Sequence, residues 1–198
     1  MLKVGITGGI GSGKTMVCQV FETLGIPVFY ADAAAKELMN GNATLVAGIQ
    51  SLLGADVYTH GQLDRKKVSA LVFAQPEKLQ QLNALVHPAV FAYAAQWMEQ
   101  QTMPYAIKEA AIFFETGSHQ QMDIMIGVDA PLETRIQRAM QRGNVLREDI
   151  LSRMAQQMDH DEKMKLCDYV IVNDGQAALI PQVLQLHEQL LQHTANNN

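Results

Sequence analysis

The sequence predicts an α/β fold built on a parallel sheet flanked by helices. Three observations carry this. Five short apolar runs alternate with helix-like stretches, as in successive βα units. The first run passes directly into glycines and then a helix, a strand–turn–helix start. The chain has 198 residues, 48% hydrophobic and 18% charged, enough to bury a sizeable core without disulfides or a structural metal.

Residues 2–7 read as a short buried strand and 13–24 as a helix stopped by Gly25. The other apolar runs are 27–30, 105–107, 124–128 and 169–172. About 75 residues separate the second run from the third. They hold helix-like stretches at 33–39, 43–53, 65–74, 77–85 and 88–101, which reads as a helical insertion between two sheet strands. Within it, His87-Pro88 reads as a helix start. Residues 132–166 form a second helical insertion, charged and bearing Met154, Met158 and Met164, which read as core packing. The final helix covers about 177–193, and residues 194–198 read as a fraying end.

The strongest chemical signal is Gly8-Gly9-Ile10-Gly11-Ser12-Gly13-Lys14-Thr15, a full match to G-x-x-x-x-G-K-[ST] in strand–loop–helix context. Glycines let backbone N–H groups close on phosphate oxygens, and the helix N-terminus adds partial positive charge. Lys14 reaches the β/γ-phosphates and Thr15 offers a hydroxyl to Mg²⁺. The loop alone specifies a nucleoside triphosphate, not the reaction.

Lys+Arg is 15 against Asp+Glu 20, a net charge of −5, which argues against a general nucleic-acid binder. The two cysteines, Cys18 and Cys167, are far apart, so neither a disulfide framework nor a zinc ribbon is expected; both thiols read as reduced and cytosolic. Neither a signal peptide nor a membrane span is expected. With no H-x-x-H or HExxH spacing, neither is a histidine metal site. None of the fourteen glycines follows an Asp by three positions and no NKxD or TKxD occurs, which excludes a GTPase-type switch.

Five of the six arginines, Arg135, Arg138, Arg142, Arg147 and Arg153, fall within nineteen residues. Positions 135, 138 and 142 share one helical face. Two readings stand: a phosphate-clamping lid, or a solvated face with ion pairs. Under the first, Arg142 and Arg138 contact phosphate, Arg135 and Arg147 are surface residues, and Gly143-Asn144 is a joint between lid helices. Asp32 follows the second apolar run by two residues. It is placed either as the base for an acceptor hydroxyl or as a helix N-cap. Glu109 and Asp129 also follow strand-like runs, placed either to meet Mg²⁺ through water in the Walker B manner or as caps.

These residues resemble the dephospho-CoA kinase family over about 2–175. The series begins with V-G-I-T-G-G-I-G-S-G-K-T and Ala31-Asp32-Ala33. It continues through Leu63-Asp64-Arg65, Val72-Phe73, Leu82-Asn83, His87-Pro88-Ala89-Val90 and Phe113-Phe114-Glu115-Thr116-Gly117. Val128-Asp129-Ala130-Pro131 precedes the arginines. Arg153-Met154-x-x-Gln157-Met158, Lys163 and Cys167-Asp168-Tyr169-Val170-Ile171-Val172-Asn173-Asp174-Gly175 close it. Many members carry Asp-x-Asp where this chain has Tyr30-Ala31-Asp32, and Pro-Leu-Leu-Phe-Glu where it has Ala110-Ala111-Ile112-Phe113-Phe114-Glu115.

The resemblance implies transfer of the γ-phosphoryl of ATP to the ribose 3′-hydroxyl of dephospho-CoA, the last step of CoA biosynthesis. It implies a P-loop kinase with a five-stranded parallel sheet, the core at 1–30, 104–134 and 166–193, a CoA-substrate insertion at 31–103 and a lid at 135–165. Asp32 becomes the base. Lys14, Arg142 and Arg138 act on the transferring phosphoryl group. Gly9, Ile10, Gly11, Ser12, Gly13, Lys14, Thr15 and Met16 bind ATP. Asp32 and His87 meet the acceptor, and Thr15 holds Mg²⁺. The expected setting is cytoplasmic, with no nucleic acid, membrane or obligate protein partner. The alternative is another small P-loop kinase acting on a nucleotide or small alcohol.

Overall fold

The computed structural model describes residues 1–143 and 145–196, with the side chains of residues 73 and 74 left out, so Phe73 and Asn144 lie outside the described features. The chain divides into two compact units, Met1–Phe29 with Gln100–Asn198, and Tyr30–Glu99.

The first unit carries the sheet. The strands are β1 (Leu2–Thr7), β2 (Val28–Tyr30, whose last residue opens the second unit), β5 (Tyr105–Glu109), β6 (Ile124–Asp129) and β7 (Tyr169–Val172), in spatial order β2-β5-β1-β6-β7. The pairings of β1 with β5, β1 with β6 and β6 with β7 are parallel, with Ile6 opposite Glu109 and Asp129 opposite Val172. All five residues of β5 are buried, as expected of a strand covered on both faces. Helix α1 (Lys14–Thr23) buries Val17, Cys18 and Phe21. Helix α9 (Leu179–Asn196) buries Val183, Leu186 and Leu190. The Phe21 ring meets Tyr105 edge-on, centroids 6.3 Å apart. Burial pushes both thiols up, Cys18 strongly and Cys167 to about 11.

The second unit holds α2 (Ala31–Gly41), α3 (Ala43–Leu53), the hairpin β3 (Tyr58–Thr59) and β4 (Gln62–Leu63), α4 (Arg65–Ala74) and α5 (Pro76–Glu99). Asn42 caps α3 through Leu45 N–H, and Asp64 caps α4 through Lys66 and Lys67 N–H. The hairpin was not expected. His60 and Gly61 turn it, both with positive φ, the signature of a type I′ turn, but His-Gly is not among the usual turn pairs.

Two expectations are corrected here. Stretches 77–85 and 88–101 form one helix, α5, with Pro88 inside, so His87-Pro88 does not start a helix. The buried stripe Leu82, Val86, Val90, Ala94 and Met98 runs through the proline at intervals of four. Burying each large member contributes roughly 1.5–3 kcal/mol. An internal proline costs about 3 kcal/mol, so the continuous stripe prevails. Residues 194–196 continue α9, with Thr194 Oγ1 donating to Leu191 O at 2.7 Å, while residues 197 and 198 of the end expected to fray lie outside the described residues. Short 3-10 turns at Ala55–Val57 and Ser118–Gln121 also went unread, because they have no apolar periodicity. The remaining helices of the first unit are α6 (Leu132–Gly143), α7 (Arg147–Met154) and α8 (His160–Lys165).

Candidate active site

The glycine-rich turn joins β1 to α1. Gly11 and Gly13 have φ of +78° and +95°, and a Cβ on either would collide with its surroundings, at Gly11 with the Arg135 backbone oxygen 2.1 Å away. Gly13 is the left-handed residue immediately before α1, and its carbonyl accepts from Met16 and Val17 N–H. The loop folds on itself through Ser12 N–H to Gly9 O, 3.2 Å. Asn173, just past β7, donates from Nδ2 to Ser12 O at 2.9 Å and locks the loop to the sheet. Lys14 Nζ curls back to donate to Gly8 O at 2.9 Å and Gly9 O at 3.4 Å. Ser12 Oγ is fully buried with no hydrogen-bond partner among the described residues. Ile10 and Thr15 are half-buried and Met16 is exposed.

A cleft of about 610 Å³ opens beside the loop, lined by Gly9, Asp129, Arg135, Met158, His160 and Asp174 among others. Asp129 ends β6, where a parallel sheet presents ligand-facing groups. Its Oδ1 accepts from His160 Nε2 at 2.7 Å; a carboxylate only accepts, so the proton sits on Nε2. Glu109, at the end of β5, is buried. Behind the cleft, buried Lys163 donates to Glu115 Oε1 and to Ala111 O, both at 2.8 Å. Burial pushes the Glu115 carboxyl up, but hydrogen bonds from Lys163, its own backbone N–H and Met158 N–H hold it below its ordinary value.

The arginines separate. Arg135 is not a surface residue: it is 7% exposed, and its Nε donates to Ala130 O at 2.9 Å. Periodicity places 135 on the face of 138 and 142 but cannot say which turn of α6 meets the loop. Arg138 Nη1 donates to Asn173 O at 2.8 Å, tying α6 to the residue that also holds Ser12. Arg142 lies exposed near the end of α6 with no hydrogen-bond or ion-pair partner among the described residues. Arg147 is exposed and paired bidentately with Glu133 at 2.9 and 2.6 Å. The methionine expectation is corrected in part: Met154 and Met158 line the cleft, while Met164 packs under Gly127 of β6.

Asp32 lies in the first turn of α2 and is exposed. The residue before that helix is Tyr30, and no side chain caps it, so the cap reading of Asp32 is rejected. His87 is half-buried in α5, stacked on Phe91 with centroids 6.0 Å apart, and burial pushes its pKa down.

Among the described residues no cluster of three or more His, Cys, Asp or Glu forms a metal cage, and no helix is long and apolar enough to cross a membrane.

The Dephospho-CoA kinase family model matches residues 2–178. A curated Dephospho-CoA kinase from Chlorobium chlorochromatii is 42% identical over 200 residues, covering 96% of this chain and 94% of that protein. A crystal structure of a Thermus thermophilus protein superposes with a TM-score of 0.83 at 31% identity over 97% of both chains. The Dephospho-CoA kinase from Campylobacter jejuni shares the fold, with a TM-score of 0.71 at 24% identity over 96% of this chain and 98% of that one. With the phosphate loop, the parallel sheet and a match over nearly its whole length, this chain belongs to the dephospho-CoA kinase family.

Proposed function

We propose that this chain transfers the γ-phosphoryl group of ATP to the ribose 3′-hydroxyl of dephospho-CoA, giving CoA and ADP, the last step of CoA biosynthesis. The observation that carries this is the loop Gly8–Thr15 in a member of this family: an ordered nest ahead of α1 with Lys14 folded over it. Lys14 exchanges loop carbonyls for the β- and γ-phosphate oxygens of bound ATP. Arg142 and Arg138 neutralise charge on the transferring group, and the residues from Gly9 to Met16 hold the nucleotide. Asp32, an exposed carboxylate two residues beyond β2, orients the acceptor hydroxyl and accepts its proton. His87 belongs to the unit that receives the CoA moiety. Residues 31–103 act as the acceptor insertion and 135–165 as a lid that excludes water from the phosphoryl group.

The residues fit Mg²⁺ entering with ATP. The absence of a protein cage among the described residues suits an ion held mainly by phosphate and water. Thr15 would hold it through its hydroxyl, with Asp129 acting through water. When bound, Mg²⁺ would offset the negative charge of the phosphates. The enzyme acts in the cytoplasm, on two small-molecule substrates.

The test is ADP release from ATP and Mg²⁺ with and without dephospho-CoA, and the product's mass. Dephospho-CoA-dependent ADP with one added phosphoryl group on the product is expected. Phosphorylation of a nucleoside monophosphate in place of dephospho-CoA would overturn the substrate.

A further inference from the structure

Arg135 is the most buried arginine of the α6 cluster, and its charge is not matched at close range. Among the described residues no carboxylate lies within ion-pair distance of its guanidinium. Asp129, Asp161 and Asp159 favour its charge only from further away, against burial, which disfavours it. One nitrogen, Nε, is used by Ala130 O at 2.9 Å. Its two terminal nitrogens make no hydrogen bond among the described residues, and the residue lines the cleft, so both are open to a ligand there. The other end of the fork faces the phosphate loop. A Cβ built on Gly9 would lie 2.5 Å from Arg135 Nη1 and 3.0 Å from His160 Nδ1.

The second group is unmatched too. The His160 side chain is 9% exposed, its Nε2 proton is given to Asp129, and Nδ1 is buried with no hydrogen-bond partner among the described residues. A guanidinium bonded through Nε alone and an unpartnered imidazole nitrogen therefore flank one glycine. Lys14 Nζ approaches the carbonyl of that same glycine at 3.4 Å. Lys14 is the side chain that reaches terminal phosphates in such loops.

We propose that Arg135 is a ligand of the terminal phosphoryl groups of the nucleotide, reaching them across Gly9 from inside the fold, opposite Lys14. The inference rests on the reading of the cleft as the triphosphate site. Three arginines of α6 then divide the work. Arg135 is preset against the loop, Arg138 is tied to Asn173 O through Nη1 and offers the rest of its fork to the transferring group, and Arg142 is free to arrive with the lid. A preset guanidinium loses little side-chain freedom when phosphate binds, and its planar fork suits two phosphoryl oxygens.

The experiment is calorimetric titration of the full chain with ATP, inorganic tripolyphosphate and AMP, for the wild type, Arg135→Gln and Arg135→Met, beside thermal unfolding without ligand. Affinity for ATP and tripolyphosphate is expected to fall about tenfold or more in both variants, as for loss of a charged hydrogen bond. AMP affinity stays within twofold. Ligand-free Tm in Arg135→Met is unchanged or higher, because an unmatched buried charge has been replaced by an apolar chain of similar length. ATP affinity within twofold of wild type in either folded variant overturns the proposal. A lower ligand-free Tm with parallel loss of ATP and AMP binding, or failure of both variants to fold, assigns the guanidinium a structural role and also overturns it. The wild-type arm separates the two levels: no ATP binding there refutes the triphosphate site itself, and Arg135 with it.

Discussion

Lys163 is fully buried, and its Nζ donates to Glu115 Oε1 at 2.8 Å while Glu115 also accepts from Met158 N–H at 2.9 Å. This pair pins α8 and the turn before it to the segment after β5. Removing one partner leaves the other charge poorly solvated. Lys163→Met is expected to destabilise the protein by about 3 kcal/mol, the low end for a buried pair because Glu115 keeps 20% of its side chain exposed. Urea unfolding measures this.

The same pair predicts a pH effect with a definite sign. Burial opposes ionisation of Glu115, but its hydrogen bonds prevail and lower its pKa from the ordinary 4.5. The unfolded chain therefore binds the proton more readily. The pair's contribution is present in full above pH 4.5 and is lost as pH falls through the lower folded value. In Glu115→Gln the acid limb of stability against pH should be shallower. Equal slopes for variant and wild type would show that Glu115 does not carry the effect.

Gly11→Ala meets two penalties: a left-handed backbone and a Cβ 2.1 Å from Arg135 O. ATP affinity should fall more than tenfold, and stability by about 1–3 kcal/mol. Gly25→Ala isolates the first penalty, since Gly25 is also left-handed but has nothing within 4 Å of the added carbon. It should cost about 1–2 kcal/mol and leave ATP binding unchanged. Equal loss of ATP binding in the two variants would refute the crowding argument.

Asp32→Asn keeps the shape of an exposed first-turn residue and removes the proton acceptor. Turnover is expected to drop about 10²–10⁴-fold with ATP affinity within twofold. Near-normal kcat would return Asp32 to a surface role.

Arg142→Lys keeps the charge and loses the fork. Because the side chain is exposed in the present structure, stability should be unaffected while kcat falls at least tenfold. Unchanged kinetics would make Arg142 a solvated residue.

Much of the architecture was legible along the chain, for local reasons. The bounds of β1, β7, α3 and α4 follow from apolar runs, caps and glycines within a few residues of each end. The phosphate loop was legible because its chemistry is contiguous: glycines, lysine and threonine act within eight positions. The hairpin at His60-Gly61 escaped because its two-residue strands carry too little pattern. The break expected at Pro88 was overruled by a stripe that only packing rewards.

What the sequence alone determined was the sheet's strands, the triphosphate loop and, through an ordered series of short motifs, the family. What only the tertiary structure decided was which arginine lies against the loop. Arg135, Arg138 and Arg142 are equivalent by periodicity. The close approach of Gly11 to the α6 backbone makes the first of them buried, leaves the second bonded to Asn173 O and the third in solvent. It likewise joined His160 to Asp129 across thirty-one positions of sequence, a pairing that no spacing rule encodes because it depends on where α8 returns to the end of β6.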